Sequence, residues 1–164
     1  MQAPPPVPGL LLQLATMAAN VRRATAEPGV DWTRRPEPDQ WSLVEVICHL
    51  RDVEREVHQS RFQATLSADN AFLPGVAADE WAAERDYQSQ AGPQALSDYL
   101  QARQETLEML ANLGPTAWRR SGQHAFFGPT SLHELLFLVV RHDDLHWQQI
   151  KELVYTMSMA SPNE

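Results

Sequence analysis

Two histidines near the end of the chain have the spacing of metal ligands. His142 and His146 lie in the run RHDDLHWQQI, in a segment whose apolar residues recur at helical spacing. On a helix they are about 40° apart around the axis and one turn apart along it, so both imidazoles can reach one ion. Both fall inside the apolar stripe, and Asp143 points inward at its edge. Buried imidazoles and carboxylates are costly unless a metal ion or an internal hydrogen-bond network satisfies them, and the segment alone leaves both interpretations open.

The composition of the chain excludes several classes of function. Its 164 residues carry a net charge of -8, and no run of Lys and Arg is longer than two. We therefore expect neither nucleic acid nor an anionic membrane as a partner. The single Cys48 cannot form an internal disulfide, so a reducing cytoplasm is expected. No apolar run reaches transmembrane length, and the N-terminal residues lack the basic region of a signal peptide.

Four amphipathic helices account for most of the chain, which we interpret as a single domain over 1–164. Apolar residues at helical spacing predict helices over about 9–26, 42–66, 92–113 and 131–157. Ser42 with Glu45, and Ser131 with Glu134, predict capping boxes at the starts of the second and fourth helices. The proline-rich residues 1–8 and residues 158–164 are expected to be flexible tails, and residues 115–130 a loop.

These elements predict an all-α fold, an up-down-down-up four-helix bundle. The connection over 67–92 contains Pro74 and Gly75, and a short helix is expected over 79–85. A connection of this length allows the chain to cross the bundle, so that helices two and three run parallel. No segment has the alternation of a convincing strand.

Counting along antiparallel neighbours brings a third histidine to the level of the first two. His49 lies about seven residues into the second helix, at the height of His142 and His146. Three neutral imidazoles leave Zn²⁺ with open positions, and Ni²⁺, Fe²⁺ or Mn²⁺ also accept such ligands. Clustering favours a metal site, and a satisfied hydrogen-bond network stays the alternative.

Charged side chains are expected in the same layer. Arg103 interrupts the apolar stripe of the third helix, where a guanidinium needs a partner. Level counting places it beside Asp52 and Glu56, so a salt bridge to one of them is predicted. Asp143 or Glu56 is expected to orient a ligand imidazole.

The remaining histidines, the cysteine and the tryptophans receive structural interpretations. His58 is expected at the edge of the stripe or on the surface, and His133 outside. His124 is expected in a loop contact, with a position at the mouth of the site as the alternative. Cys48 is expected to be a packed thiol, and the tryptophans to pack the core or a dimer surface.

The segments WSLVEVICHLRDVE, HAFFGPTSLHELL and HDDLHWQQI resemble the DinB-like (YfiT-like) family, over roughly residues 10–154. The resemblance implies a divalent metal, often nickel or zinc, held by three histidines that by position are His49, His142 and His146. It also implies a homodimer. Related proteins include thiol S-transferases that use bacillithiol or mycothiol, and others resemble maleylpyruvate isomerases.

We therefore expect a metal-dependent enzyme that acts on a small molecule, either as a thiol S-transferase or as a hydrolase. The bound ion would lower the pKa of a thiol or of water. The alternatives are a non-catalytic metal-binding stress-response bundle and a bundle with no metal.

Overall fold

A computed structural model describes residues 3–159 of the chain, and four long helical segments form its body. The second segment is continuous but contains one π-helical turn. The long segments are α1 (Val7–Thr25), α2 (Leu43–Val53) with the π turn (Glu54–His58) and α3 (Gln59–Ser67), α5 (Gly92–Leu110) and α7 (Leu132–Met159). Two short helices, α4 (Trp81–Glu84) and α6 (Pro115–Trp118), lie in the connections.

Both predicted capping boxes are present. The backbone amide of Ser42 donates to Glu45 Oε2 at 2.8 Å, and the corresponding bond from Ser131 to Glu134 Oε2 is 2.7 Å long. At the second box, the Glu134 amide also donates to Ser131 Oγ at 3.2 Å. The boxes satisfy amides that would otherwise lack partners at the first turn, which is why these two helix starts could be read from the sequence.

The four segments pack as a bundle around two apolar clusters. α1 lies against α7 and α5, and the α2–α3 segment lies between α5 and α7. Arg55 donates to the carbonyl of Asp98, and Gln59 donates to the carbonyl of Ala102, four residues later on both helices. This is the register of parallel neighbours. Thus α2–α3 and α5 run side by side in the same direction, joined by the long crossover.

A small sheet, which the sequence analysis did not predict, joins two of the connections. β2 (Ser121–His124) pairs antiparallel with β3 (Gly128–Ser131) and parallel with β1 (Phe72–Leu73). β2 and β3 have four residues each and contain Gly, Ser and Pro, and β1 has only two residues, so none of the strands carries a recognisable alternation of apolar and polar residues. β2 and β3 form a local hairpin, whereas β1 pairs with β2 across about 50 residues of sequence, which no local propensity indicates. The expectation of loop over 115–130 is therefore wrong for the sheet and for α6.

The tails and the crossover also refine the predictions. α1 begins at Val7, inside the proline-rich stretch expected to be non-helical, because a proline is tolerated in the first turn of a helix. α7 continues to Met159, and the expected tail beyond it, with residues 1 and 2, lies outside the described residues. The short helix expected over 79–85 is present as α4, preceded by a 3₁₀ turn (Ala78–Glu80). Within residues 3–159, no helix is both long enough and apolar enough to cross a membrane.

One buried guanidinium connects all four long segments. Arg103 on α5 is 1% exposed. Its Nε and Nη2 donate to the two carboxylate oxygens of Glu54 at 3.0 and 2.8 Å. Nη1 and Nη2 donate to Asp143 at 2.6 and 2.9 Å, and Nη1 also donates to the carbonyl of Leu14 on α1 at 3.4 Å. These five bonds match the five N–H groups of an arginine side chain, so the buried charge is fully satisfied.

The predicted partners of Arg103 are therefore wrong, although the buried salt bridge exists. Asp52 instead accepts from Arg51, Arg85 and Tyr87, and Glu56 accepts from Arg85. Glu54 lies four residues after Leu50 and seven after Ile47, so it belongs to the apolar stripe that faces α5, whereas Asp52 and Glu56 lie beside that stripe. The same helical count that found Arg103 could have found Glu54.

We expect Arg103→Met to lower the free energy of unfolding by roughly 3–5 kcal/mol, because it leaves two buried carboxylates without their cation. Arg55→Met is the matched control. Arg55 is 39% exposed, and its Nη2 lies as far as 3.9 Å from Asp98 Oδ1. Such a surface pair contributes about 0–1 kcal/mol. Urea denaturation followed by circular dichroism measures both. Equal stability of the two variants would contradict this account of Arg103.

Candidate metal centre

The three predicted histidines meet in one cluster, in which His49 is buried and the other two are half-buried. His49 on α2 and the pair His142 and His146 on α7 each offer a ring nitrogen, and these nitrogens lie within 4.8 Å of one another. The Nε2 atoms of His49 and His142 are 3.3 Å apart. Two nitrogens bound to one tetrahedral Zn²⁺ at 2.0–2.1 Å would be about 3.4 Å apart. The spacing thus fits two ligands of a single ion.

The protonation of the three rings suits metal binding. Burial, with a smaller contribution from the neighbouring His146, lowers the pKa of His49 from its ordinary 6.5 to about 4. Burial also lowers the pKa of His142 and of His146. Neutral imidazoles keep the lone pair that a metal ion requires, so no proton has to be displaced from these rings near pH 7.

Neighbouring side chains orient two of the rings. Gln149 Oε1 accepts a hydrogen bond from His146 Nδ1 at 3.0 Å, which leaves His146 Nε2 to face the cluster. The Trp41 ring lies nearly parallel to that of His146, with centroids 6.5 Å apart, and packs against His49 at 5.0 Å. The Nδ1 atoms of His49 and His142 are buried without a hydrogen-bond partner.

The predicted orientation of the imidazoles by carboxylates is wrong. Both carboxylate oxygens of Asp143 accept from Arg103, and both oxygens of Glu56 accept from Arg85. Gln149 lies three residues after His146 on α7. It has the orienting role that was predicted for an acidic group. Its spacing of three residues from His146 is a local signal that was available in the sequence.

The cluster opens on one side into a cavity of about 470 Å³, here called the outer chamber. Asp79, from the 3₁₀ turn of the crossover, stands at this open side with Oδ1 4.0 Å from His49 Nε2, and its side chain is 88% exposed. Leu145 and Gln149 of α7 line the same chamber. The three rings therefore form the floor of a site that a small molecule can reach.

A second cavity of about 250 Å³, the inner chamber, adjoins the first. Four residues line both chambers. They are His58, Arg61, Val76 and His142. The rest of the inner chamber is mainly apolar, with Phe126 and Phe127 of the β2–β3 hairpin on one side and α7 on the other. The two chambers and the histidine cluster thus form one continuous candidate site.

His58 is buried, contrary to the prediction of an edge or surface position. It is 8% exposed, and its ring meets that of His142 edge-on with centroids 5.2 Å apart. The reason is the π turn. Such a turn contains one residue more than an α turn, so it rotates the following residues relative to a uniform helix and carries His58 inward. No periodicity in the sequence reveals that rotation.

His124, expected in a loop contact, lies on β2 and is 4% exposed. Its Nδ1 accepts from the Phe126 amide at 3.2 Å, and its ring lines the inner chamber. Cys48 is a buried, packed thiol, as expected, and it lies outside the histidine group. Burial raises its pKa to about 11. His133 lies outside the site, as expected, and its Nε2 contacts the carbonyl oxygen of Pro5.

Comparison with known proteins identifies the family. The family model of the DinB superfamily matches residues 13–150. The chain belongs to the DinB superfamily. Among solved structures, it is similar to YfiT from Bacillus subtilis, described as a probable metal-dependent hydrolase with an unusual four-helix bundle topology. The two share 18% sequence identity with a TM-score of 0.79, over 92% of this chain and 86% of that one. No curated protein matches the chain.

The DinB resemblance read from the sequence is therefore confirmed, and so is the four-helix bundle. The similarity to YfiT, at this level of identity, concerns the fold. The assignment of His49, His142 and His146 as ligands stays a prediction, supported in this chain by the 3.3 Å spacing and by the neutral rings.

We expect His49→Ala, His142→Ala and His146→Ala each to abolish tight binding of a divalent ion, because two imidazoles hold it far less firmly than three. His133→Ala is the matched control and should keep the ion, and His58→Ala should also keep it. Protein purified without a nickel column is analysed by mass spectrometry of its metals, followed by zinc titration calorimetry. A ligand variant with full metal content would refute the three-histidine assignment.

The buried histidines also predict a stability change with pH in chelator-treated protein. The folded protein keeps His49 and its neighbours neutral at pH values where the unfolded chain, with a histidine pKa of 6.5, takes up protons. The free energy of unfolding should therefore be highest above about pH 6.5 and fall toward pH 4, by up to about 1.4 kcal/mol per pH unit for each histidine. Urea unfolding at neutral pH and near pH 5 measures this. A flat profile would contradict the neutral state of the buried rings.

Proposed function

We propose that this DinB-superfamily protein is a metal-dependent enzyme acting on a small molecule, with His49, His142 and His146 holding a divalent ion. One observation carries the proposal: three neutral imidazoles converge at the floor of an open chamber. Structural zinc sites usually have four protein ligands, whereas three ligands beside a cavity leave positions for water or substrate. Zinc or nickel is the proposed ion, and iron or manganese would accept the same ligands.

The reaction we propose first is hydrolysis. An ion bound there would supply Lewis-acid chemistry. It would lower the pKa of a bound water molecule toward neutral pH and would polarise a carbonyl. The residues of the chain have separate tasks. The three imidazoles hold the ion, Gln149 fixes the ring of His146, and the carboxylate of Asp79 can accept a hydrogen bond from a ligand at the open side. Leu145 and Val76, both exposed, line the outer chamber.

Thiol S-transfer is the second candidate, and the pair of chambers favours it. A transferase has to hold a thiol and an electrophile at once. The outer chamber, beside the histidines and wider, suits a polar low-molecular-weight thiol such as bacillithiol or mycothiol. The inner chamber, narrower and apolar, suits the carbon skeleton of an electrophile. The same ion would serve both reactions, since it lowers the pKa of a thiol as it does that of water.

We further propose a cytoplasmic protein that acts as a homodimer without nucleic acid or membrane as a partner. The free Cys48 supports a reducing cytoplasm. The net charge of -8 supports the absence of nucleic acid and anionic membranes as partners. The dimer is an expectation taken from the family.

The function is tested by turnover of two panels of model substrates, activated esters and amides for hydrolysis, and electrophiles with each thiol for transfer. We expect turnover in one panel by the metal-loaded protein, its loss on chelation, and its return with the ion. His142→Ala should stay inactive, whereas His133→Ala, outside the site, should match the wild type. Products decide between the two reactions, because only transfer joins the thiol to the electrophile.

A protein that binds one ion per chain and turns over neither panel would overturn the enzymatic proposal in favour of a non-catalytic metal-binding bundle. Turnover that survives complete removal of metal would overturn the role assigned to the ion.

A further inference from the structure

Arg61 differs from the other buried and half-buried arginines in having no carboxylate partner. In the described part of the chain, five arginines are buried or half-buried, and four of them contact a carboxylate. Those four are Arg51, Arg85, Arg103 and Arg120. Arg61 has no carboxylate within 4 Å, and the one hydrogen bond from its guanidinium is to the carbonyl of Pro74 at 2.8 Å. Its Nε is buried without a partner. A half-buried cation without an anion is costly, which indicates that a ligand supplies the missing charge.

The position of Arg61 points to the kind of ligand. It lines both chambers, next to His58 and to the metal-ligand candidate His142. His58 has a second unsatisfied atom, because its Nε2 is buried without a hydrogen-bond partner. Two polar groups lacking partners therefore stand at the junction of the chambers. A guanidinium binds planar anions through paired N–H groups, and a carboxylate matches it in charge and shape.

The walls of the inner chamber describe the rest of the ligand. Leu135, Leu138 and Val139 of α7 form one side, and the hairpin phenylalanines form the other. Phe126 and Phe127 are 75% and 50% exposed, although large apolar side chains are normally buried. Val76 and Leu145, both exposed, lie at the outer chamber. Four of the seven exposed large apolar residues of the described chain thus surround this site, as expected for a surface that a small apolar group covers.

We propose that the inner chamber binds the apolar chain of a small carboxylate, with the carboxylate paired to the guanidinium of Arg61. As a substrate subsite this rests on the proposed function, which supplies the chemistry at the adjacent histidines. The volume of about 250 Å³ suits a short alkyl or aryl group rather than a long lipid chain. The class of ligand is therefore a short monocarboxylic acid or a substrate that carries such a group.

Hexanoate and its uncharged analogue hexanamide are the probes. They have the same alkyl chain and differ in the negative charge that the guanidinium of Arg61 would bind. Titration of ¹⁵N-labelled protein, followed by NMR shifts, gives both affinity and location. We expect hexanoate to bind at least ten times more tightly than hexanamide, with the largest shifts at the residues lining the inner chamber. Equal affinities, no binding of hexanoate at millimolar concentration, or shifts confined to another surface would each overturn the proposal.

Variants separate charge recognition from a structural role. Arg61→Met should weaken hexanoate to the level of hexanamide and change the affinity for hexanamide less than twofold, because methionine keeps much of the apolar stem. Arg61→Lys should retain part of the preference, and Arg55→Met, an exposed arginine earlier on the same segment, should retain all of it. If Arg61→Met weakens both probes equally, Arg61 merely supports the crossover through Pro74, and the proposal fails.

Repeating the titration after chelation separates this inference from the proposed function. A preference for hexanoate that persists without metal and depends on Arg61 supports the subsite, even if no metal-dependent turnover is found. A preference that disappears with the metal means that the ion itself held the carboxylate, which overturns the role of Arg61. Metal-dependent turnover with no preference for hexanoate would leave the function standing and remove the subsite.

Discussion

The guanidinium of Arg103 is the interaction on which the arrangement of this bundle depends. From α5 it reaches the Leu14 carbonyl on α1, Glu54 at the π turn and Asp143 on α7, and it uses each of its N–H groups once. A charge buried at 1% exposure tolerates little displacement, because every lost bond leaves an unsatisfied group in an apolar core. The four helices are therefore held in one relative arrangement at this level, where a purely apolar core would allow several packings.

That constraint extends to the candidate metal centre because the carboxylates and the histidines lie on the same helices. Asp143 directly follows His142, and Glu54 lies five residues after His49 on the same helix. When Arg103 fixes the two carboxylates, it also fixes the rotation of α7 against α2, and with it the 3.3 Å between the two ring nitrogens. Ligand positions have to be accurate to a few tenths of an ångström for a metal ion. The salt-bridge network thus supports the site without contacting it.

The connections add what the helices lack. The crossover brings Asp79 and Val76 to the outer chamber, while the β2–β3 hairpin brings His124 and the two phenylalanines to the inner chamber. Gly122 allows this assembly, since a Cβ atom there would lie 2.8 Å from the carbonyl oxygen of Ala71, the residue before β1. The bundle supplies the rigid polar floor, and chain segments distant in sequence supply the walls that would select a substrate.

The sequence by itself determined the features that depend on local periodicity: the helices, both capping boxes, the inward direction of His49, His142 and His146, and the buried position of Arg103. Each follows from spacing along one helix, which steric rules fix without reference to the rest of the chain. Only the tertiary structure decided the burial of His58 and the pairing of β1 with β2. These depend on a π turn that changes the helical phase, and on pairing between segments about 50 residues apart, which no local pattern encodes. The unpaired charge of Arg61 belongs with them, because the absence of a partner is a property of the assembled fold.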